Sequence, residues 1–369
     1  MKRMESSPRD GWPKIVESQG LHFHSTPDAY WDETAYYQFT SREVDVLEAA
    51  TNQLHQMCLV AVDHVISRSL FDLFRIQPQC VSYVVDSWNK SEPTIYGRFD
   101  FSFDGSNPPK LLEYNADTPT GLLEAAVIQW YWLQDTHSSA DQFNSIHEKL
   151  IARWQSAGIE DAVYFAAVED SVEDYMTVNY LRDTAMQAGL KTDYIAVEKL
   201  GWDHERRVFV DLARKPIRTL FKLYPWEFLF KEPFGRYILF RKTRWLEPAW
   251  KMILSNKAIL PVLWELNPDH PNLLRADFEP IGPTYVRKPV HAREGANVQI
   301  VFDGKEFLST DGDYGPPYIY QEVCPLPRFD GKFACIGSWI VDDTACGMGI
   351  RESDELITRN TSRFVPHLF

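Results

Sequence analysis

The sequence predicts a mixed fold, α+β overall with a small α/β lobe, on three observations. Apolar residues recur at spacings of three and four through much of the first hundred positions, the mark of helices with one buried face. The spacing drops to two from Ile95 to Asn115 and is again strand-like from Tyr285 to Ile350. Between those stretches, short apolar runs flank a single helical segment, as a strand–helix–strand unit requires.

In chain order, Thr40 and Ser41 are placed to cap a helix with apolar positions Val44, Val46, Leu47, Leu54, Met57, Leu59 and Val60. His55 and His64 fall inside it and read as hydrogen-bonded core or surface histidines; His22 and His24 carry no assignment. Ile95–Phe103 and Lys110–Asn115 alternate as strands around the turn residues Asp104-Gly-Ser-Asn-Pro-Pro109, a hairpin signal. Thr118 followed by Pro119 resembles a helix cap with proline at the first helical position, opening a helix from Gly121 to about Gln134. Val163–Ala167, a helix from Ser171 to Ala188 closed by Gly189, and Thr192–Ala196 form the α/β unit. Leu246 to Leu274 reads as helical. The strands beyond Tyr285 turn at Asp303-Gly304, Asp330-Gly331 and Asp342-Asp343. The expected division is an N-terminal helical region with the hairpin (1–150), a small α/β lobe (151–245) and a third region (246–369).

The chain has 369 residues, with 38 Lys and Arg against 52 Asp and Glu, a net charge of −14. Its 44% hydrophobic content excludes a disordered chain. The acidic balance argues against a nucleic-acid partner, whose affinity rests on neutralised phosphates. No apolar run is long enough to span a bilayer, and the first ten residues lack the apolar core of a signal peptide. Five cysteines without CxxC spacing read as reduced thiols of a cytoplasmic protein.

The hairpin carries the chemistry. Along its first strand Arg98, Asp100 and Ser102 share one face, and Phe99, Phe101 and Phe103 share the other. Leu111, Glu113 and Asn115 share a face of the second strand. A turn centred between Ser106 and Asn107 sets Asp100 opposite Glu113 and Arg98 opposite Asn115. Two opposed carboxylates repel. A hard divalent cation such as Mg²⁺, completed by substrate phosphates, turns that liability into a site. The competing reading is a solvated face with Arg98 neutralising both acids. In the C-terminal half stand Lys257, Lys288, the polar loop Arg293-Glu-Gly-Ala-Asn297, the strand Tyr318-Ile-Tyr-Gln321 and Arg351. No GxxxxGK[ST] motif is present.

Together these strings resemble the glutathionylspermidine synthetase family. Gly97-Arg-Phe-Asp100 and Leu112-Glu-Tyr-Asn-Ala-Asp-Thr-Pro-Thr120 are similar to its metal and acyl-phosphate strip. Glu247-Pro-Ala-Trp250, Asn256-Lys-Ala-Ile-Leu-Pro261, Val286-Arg-Lys-Pro289, Gly295-Ala-Asn297, Ile319-Tyr-Gln321 and Arg351 follow in the family's order. The likeness runs from about Tyr30 to Phe369 and is strongest to the family's stand-alone acid–amine ligases, which lack the amidase domain.

The resemblance implies a permuted, glutathione-synthetase-like ATP-grasp fold and an ATP- and Mg²⁺-dependent carboxylate–amine ligase working through an acyl phosphate. It gives Asp100, Glu113 and Asn115 to Mg²⁺, Lys257 and Lys288 to the α/β-phosphates, and the loop around Gly295 to a lid. Gln321, Leu356 and Thr358 would border the nucleotide. Arg98, with Arg351, would stabilise charge in phosphoryl transfer. Thr118 and Thr120 stand where the family carries two serines beside the acyl phosphate. Leu223-Tyr-Pro-Trp-Glu227 departs from the family's Lys-Thr-Trp segment, and Glu173 and Asp174 fall near an acidic pair for the amine. The partners implied are a small carboxylate and a small amine, a peptide or polyamine among the candidates. The alternatives are a nucleotide-binding module with a degenerate acceptor site and an acidic hydrolase using Asp100 and Glu113.

Overall fold

A computed structural model describes residues 1–25, 29–359 and 362–369. Its N-terminal part is organised by the helix Ser41–Ser67. Thr40 accepts from the Glu43 amide and the Glu43 carboxylate accepts from the Thr40 amide, a reciprocal cap that satisfies two orphan donors. Val44, Leu47 and Leu54 are buried, while Val46 and Val60 face solvent, so the apolar stripe is narrower than the sequence suggests. His55 is a core histidine, bonded through Nε2 to Asp343 at 2.9 Å.

The hairpin strands Tyr96–Ser102 and Lys110–Asn115 pair in the expected register, Asp100 against Glu113 and Arg98 against Asn115. Beyond Asp100 a bulge intervenes, and Phe101 meets Leu111. The expectation for Leu111 is therefore corrected. It turns into the core with Phe101, and Leu112 takes its place on the chemical face. The other edge of Tyr96–Ser102 pairs with Lys332–Val341, Gly337 lying beside Asp100 and Trp339 beside Arg98. Thr344–Ser353 and Arg363–Val365 extend the same antiparallel sheet. Its two halves thus come from opposite ends of the chain.

The helix after the hairpin begins at Leu122 and passes through a π turn at Glu124–Ile128. Pro119 is not its first residue, and Thr118 does not cap it. The Thr118 hydroxyl is taken instead by Arg293 at 2.8 Å. A charged long-range donor outcompetes the local amide.

The α/β unit has the expected limits. Val163–Ala167, Thr192–Ala196, Thr219–Lys222 and Arg244–Leu246 make a parallel sheet, with the helix Val172–Gln187 as crossover. Leu246 therefore closes a strand and does not open a helix. The stretch that follows splits into the short helices Lys251–Leu254 and Ile259–Leu266. Asn256 makes the break, its amide donating to Phe74 O and its Oδ1 accepting from Ala258 N. Strands 276–309, joined by Tyr318–Gln321, form a separate five-stranded antiparallel sheet. No helix among the described residues is long and apolar enough to cross a membrane.

Candidate active site

The residues expected at the cation and nucleotide sites line one cleft of about 340 Å³, joined by Asp174 of the expected amine pair but not by Glu173. The hairpin supplies Arg98, Asp100, Glu113 and Asn115, and the following loop Thr118 and Thr120. The C-terminal half brings Lys257, Lys288, Gly295 and Gln321 to the facing wall, and Arg351, Leu356 and Thr358 from its last segment.

Arg98 donates from Nε and Nη2 to the two oxygens of Asp100, at 2.6 and 2.9 Å, and from Nη1 to Thr120 O at 2.7 Å. Its guanidinium lies over the Trp339 ring. Gly337 leaves room for it: a Cβ there would sit 2.8 Å from Arg98 Cδ. The Asn115 amide donates to Glu113 at 2.9 Å and Asp100 at 3.2 Å, which relieves the repulsion between the opposed carboxylates. Across the cleft, Lys257 Nζ is 2.8 Å from Glu113 Oε2. Lys288 Nζ donates to Gln321 Oε1 at 2.7 Å and Leu112 O at 3.2 Å.

Burial and charge pull these groups apart in acidity. Burial opposes ionisation of Glu113, yet Lys257, with Lys288 and the Asn115 amide, holds its carboxyl down at about 2. Asp100 goes the other way, burial raising it despite Arg98. Burial pushes the Lys288 ammonium down to about 8, against the pull of Glu113.

Arg293 was expected only as the first residue of the polar loop around Gly295, with no role of its own. It donates to Thr118 and, through Nη2, to Glu227 at 2.9 Å, so one side chain joins the Gly295 loop to the hairpin strip and the α/β lobe. Its only sequence signal is a cation two residues before a glycine turn. Gly295 adopts φ +70°, and a Cβ there would meet Thr358 O at 2.5 Å, so only glycine lets the loop close on the last segment. Cys335 also lines the cleft, its thiol pushed up by burial beside Asp100. Asp174 lines it from the helix Val172–Gln187, burial and Glu173 raising its carboxyl to about 6.

The oxygen-only set of Asp100, Glu113 and the Asn115 side chain suits a hard cation better than a soft one. No cluster of three or more His, Cys, Asp or Glu makes a protein-only cage among the described residues. The donor set would suit a hard cation such as Mg²⁺ and would leave positions for phosphate and water.

One antiparallel sheet thus joins the hairpin of the first third to the C-terminal strands, with opposed acids and facing lysines in one cleft. This is a mixed helix and sheet fold whose solved and family neighbours are glutathione-synthetase-like and of ATP-grasp type. A solved glutathione synthetase-like effector from Globodera pallida superposes with a TM-score of 0.58, covering 98% of each chain at 9% identity, a likeness of fold alone. The glutathionylspermidine synthase preATP-grasp family model matches residues 3–369, and the chain belongs to that family. A protein of Haemophilus influenzae named "putative acid--amine ligase" is 42% identical over the full length of both chains. The trypanothione synthetase of Crithidia fasciculata is 30% identical over 85% of this chain and 53% of its own. The bifunctional glutathionylspermidine synthetase/amidase of Escherichia coli is 29% identical over 91% and 59%. The chain thus spans little more than half of the latter two.

Proposed function

We propose that the chain is an ATP- and Mg²⁺-dependent carboxylate–amine ligase that activates its acid as an acyl phosphate. The supporting observation is the 2.8 Å contact between Glu113 and Lys257, which joins the hairpin acids to the C-terminal cations in a shared cleft. Asp100, Glu113 and Asn115 would hold Mg²⁺, which when bound supplies charge neutralisation at the phosphates. Lys257 and Lys288 then exchange their present oxygen partners for phosphate oxygens. Arg98, held by Thr120 O and the Asp100 carboxylate, is aimed where negative charge grows as the phosphoryl group passes to the acid. Thr118 and Thr120 line the place where the acyl group would lie. The Gly295 loop, latched by Arg293, excludes the water that would hydrolyse the acyl phosphate. An amine displaces the phosphate through a tetrahedral intermediate, leaving an amide, ADP and phosphate. On this reading residues 1–150 carry the cation-holding hairpin, 151–245 the acceptor side and 246–369 most of the nucleotide grip.

The acid and amine belong to the small molecules suggested by the relatives' names, a peptide acid and a polyamine among them. The test uses hydroxylamine as a general amine. With ATP, Mg²⁺ and a panel of carboxylic acids that includes glutathione, one acid is expected to give stoichiometric ADP and hydroxamate. Failure to bind ATP with Mg²⁺ would end the proposal. ATP binding with neither hydroxamate nor amide across broad acid and amine panels would favour a nucleotide-binding module.

A further inference from the structure

The charge of the chain is divided unevenly. Residues 202–244 hold eleven Lys and Arg against five Asp and Glu, a balance of +6, so the remainder carries −20. Lys222 is buried beside the cleft and Lys231 lines another pocket with Glu227, while several of the others are exposed on the α/β lobe. Arg218 precedes the strand Thr219–Lys222, and Lys242 precedes Arg244–Leu246. The far end of the first strand is Lys222, which reaches Asp117 beside the catalytic cleft. The basic face therefore lies at the opposite end of the parallel sheet from the cleft.

Its contacts make it one surface. The hairpin formed by Gly201–Asp203 and Val208–Val210 stacks Trp202 on Tyr237 with centroids 4.5 Å apart. Arg207, at the turn of that hairpin, lies 5.5 Å over the ring of Phe240. Arg206 and Arg214 both act on Asp203, so the tip of the hairpin and the loop after it adjoin. Arg206, Arg207 and Arg214 of the hairpin and its following loop, and Arg218 and Lys242 at the parallel sheet, are exposed. Two apolar side chains stand out among them, Leu212 at 78% exposure and Phe240 at 43%. The two residues after Phe240, Arg241 and Lys242, enter the lining of a separate cavity of about 370 Å³, which mixes them and Arg218 and Arg244 with Glu92, Glu160 and Asp161.

We propose that this face docks an acidic segment of a partner polypeptide, its carboxylates on the arginines and an apolar residue against Leu212 and Phe240. Guanidinium forks stacked on aromatic rings are preorganised for carboxylates, and Arg with aromatics is the composition of protein interfaces. The recessed cavity is reached by side chains of a peptide and not by a flat bilayer. The three acids in its lining repel a continuous polyanion such as duplex DNA, whereas a peptide presents discrete charges and amide donors. With the rest of the chain strongly negative, attraction is confined to contact range, within about 10 Å at 0.1 M salt.

The experiment uses the full chain and a labelled Asp/Glu-rich peptide of about a dozen residues with one leucine, read by fluorescence anisotropy. Binding is expected to weaken as salt rises, to fall at least tenfold in R206E/R207E/R214E and to fall separately in L212S, with ATP binding unchanged. No binding, or binding indifferent to the charge reversal, overturns the proposal. So does tighter capture of duplex DNA or of phosphatidylserine vesicles. Sedimentation that shows the wild-type chain self-associating through this face, relieved by the same reversal, assigns the surface to a second copy and overturns it too.

Discussion

Two kinds of acid–base pair stand a few residues apart in this molecule. Asp117 and Lys222 are closed off from water, at 0% and 1% side-chain exposure, and Asp117 also accepts from the Trp226 amide at 3.1 Å. Glu247 and Lys251 form a second sealed pair, Glu247 accepting from the amides of Ile95 and Tyr96. Glu113 and Lys257, by contrast, keep 24% and 8% exposure on the cleft, and Arg98 and Asp100 keep 18% and 15%. A sealed pair cannot trade partners without stranding a charge, so it frames the fold. A pair that touches solvent can hand its carboxylate to a cation and its ammonium to a phosphate. On the proposed function the cleft pairs stand in for ligand charges, while the sealed pairs tie the hairpin strip to the α/β lobe.

The largest expected effect tests the framing half. Asp117→Ala strands the Lys222 ammonium and frees the Trp226 amide, and should cost about 3–5 kcal/mol in urea unfolding. A loss under about 1 kcal/mol would mean that water reaches the pair and that the distinction from the cleft pairs fails. Next is the cleft half. Arg98→Ala should lower ligase turnover about 10²- to 10³-fold, with nucleotide affinity changed only a few-fold. Turnover near wild type would remove Arg98 from the chemistry, whatever its geometry.

The two kinds of pair also differ in how legible they were. The opposition of Asp100 and Glu113 followed from strand alternation and a turn six residues long, because a hairpin is local and its register is set nearby. The bulge that sends Leu111 inward was not legible, since it depends on Phe101 recruiting Leu111 into a core built from distant helices. Thr118 shows the same limit. Its sequence neighbours favour a helix cap, and Arg293, 175 positions away, takes the hydroxyl. The lysines of the facing wall were reached only through likeness to a family, since each alone reads as an ordinary surface lysine. Asp117 and Lys222 gave no signal, for a sealed pair is made by what packs around it. The C-terminal strands were expected, but not that Lys332–Val341 would complete the hairpin's sheet and set Gly337 under Arg98.

A sharper contrast comes from pH. Burial lowers Lys288 to about 8 in the free protein, so the ammonium is mostly present at neutral pH and is lost as pH rises through that value. Bound phosphates favour the charged form, so ATP binding should take up a proton, increasingly so above pH 8. Calorimetry in buffers of different ionisation enthalpy reads that uptake directly. Affinity should fall by up to about tenfold per pH unit above 8, and Lys288→Arg, charged throughout, should flatten the profile. A wild-type affinity independent of pH through this range would place Lys288 away from the phosphates.

The smallest expected effect falls on a contact that joins the cleft to the α/β lobe. Thr118 belongs to the cleft, yet its hydroxyl accepts from Arg293, whose second bond reaches Glu227 on the α/β lobe. Glu227 is held below the usual carboxylate range by Arg293, although burial opposes it, so that half of the latch survives when Thr118 is changed. Thr118→Val keeps the shape and removes the acceptor, and about 1 kcal/mol, or roughly fivefold in kcat/KM, is the expected loss. The affinity for ATP should stay put, because the nucleotide cations do not touch this hydroxyl. A larger loss confined to kcat would mean that Thr118 contacts the reacting acyl group directly. A loss in ATP affinity would mean that the Gly295 loop closes over the phosphates only when Arg293 is held from both sides.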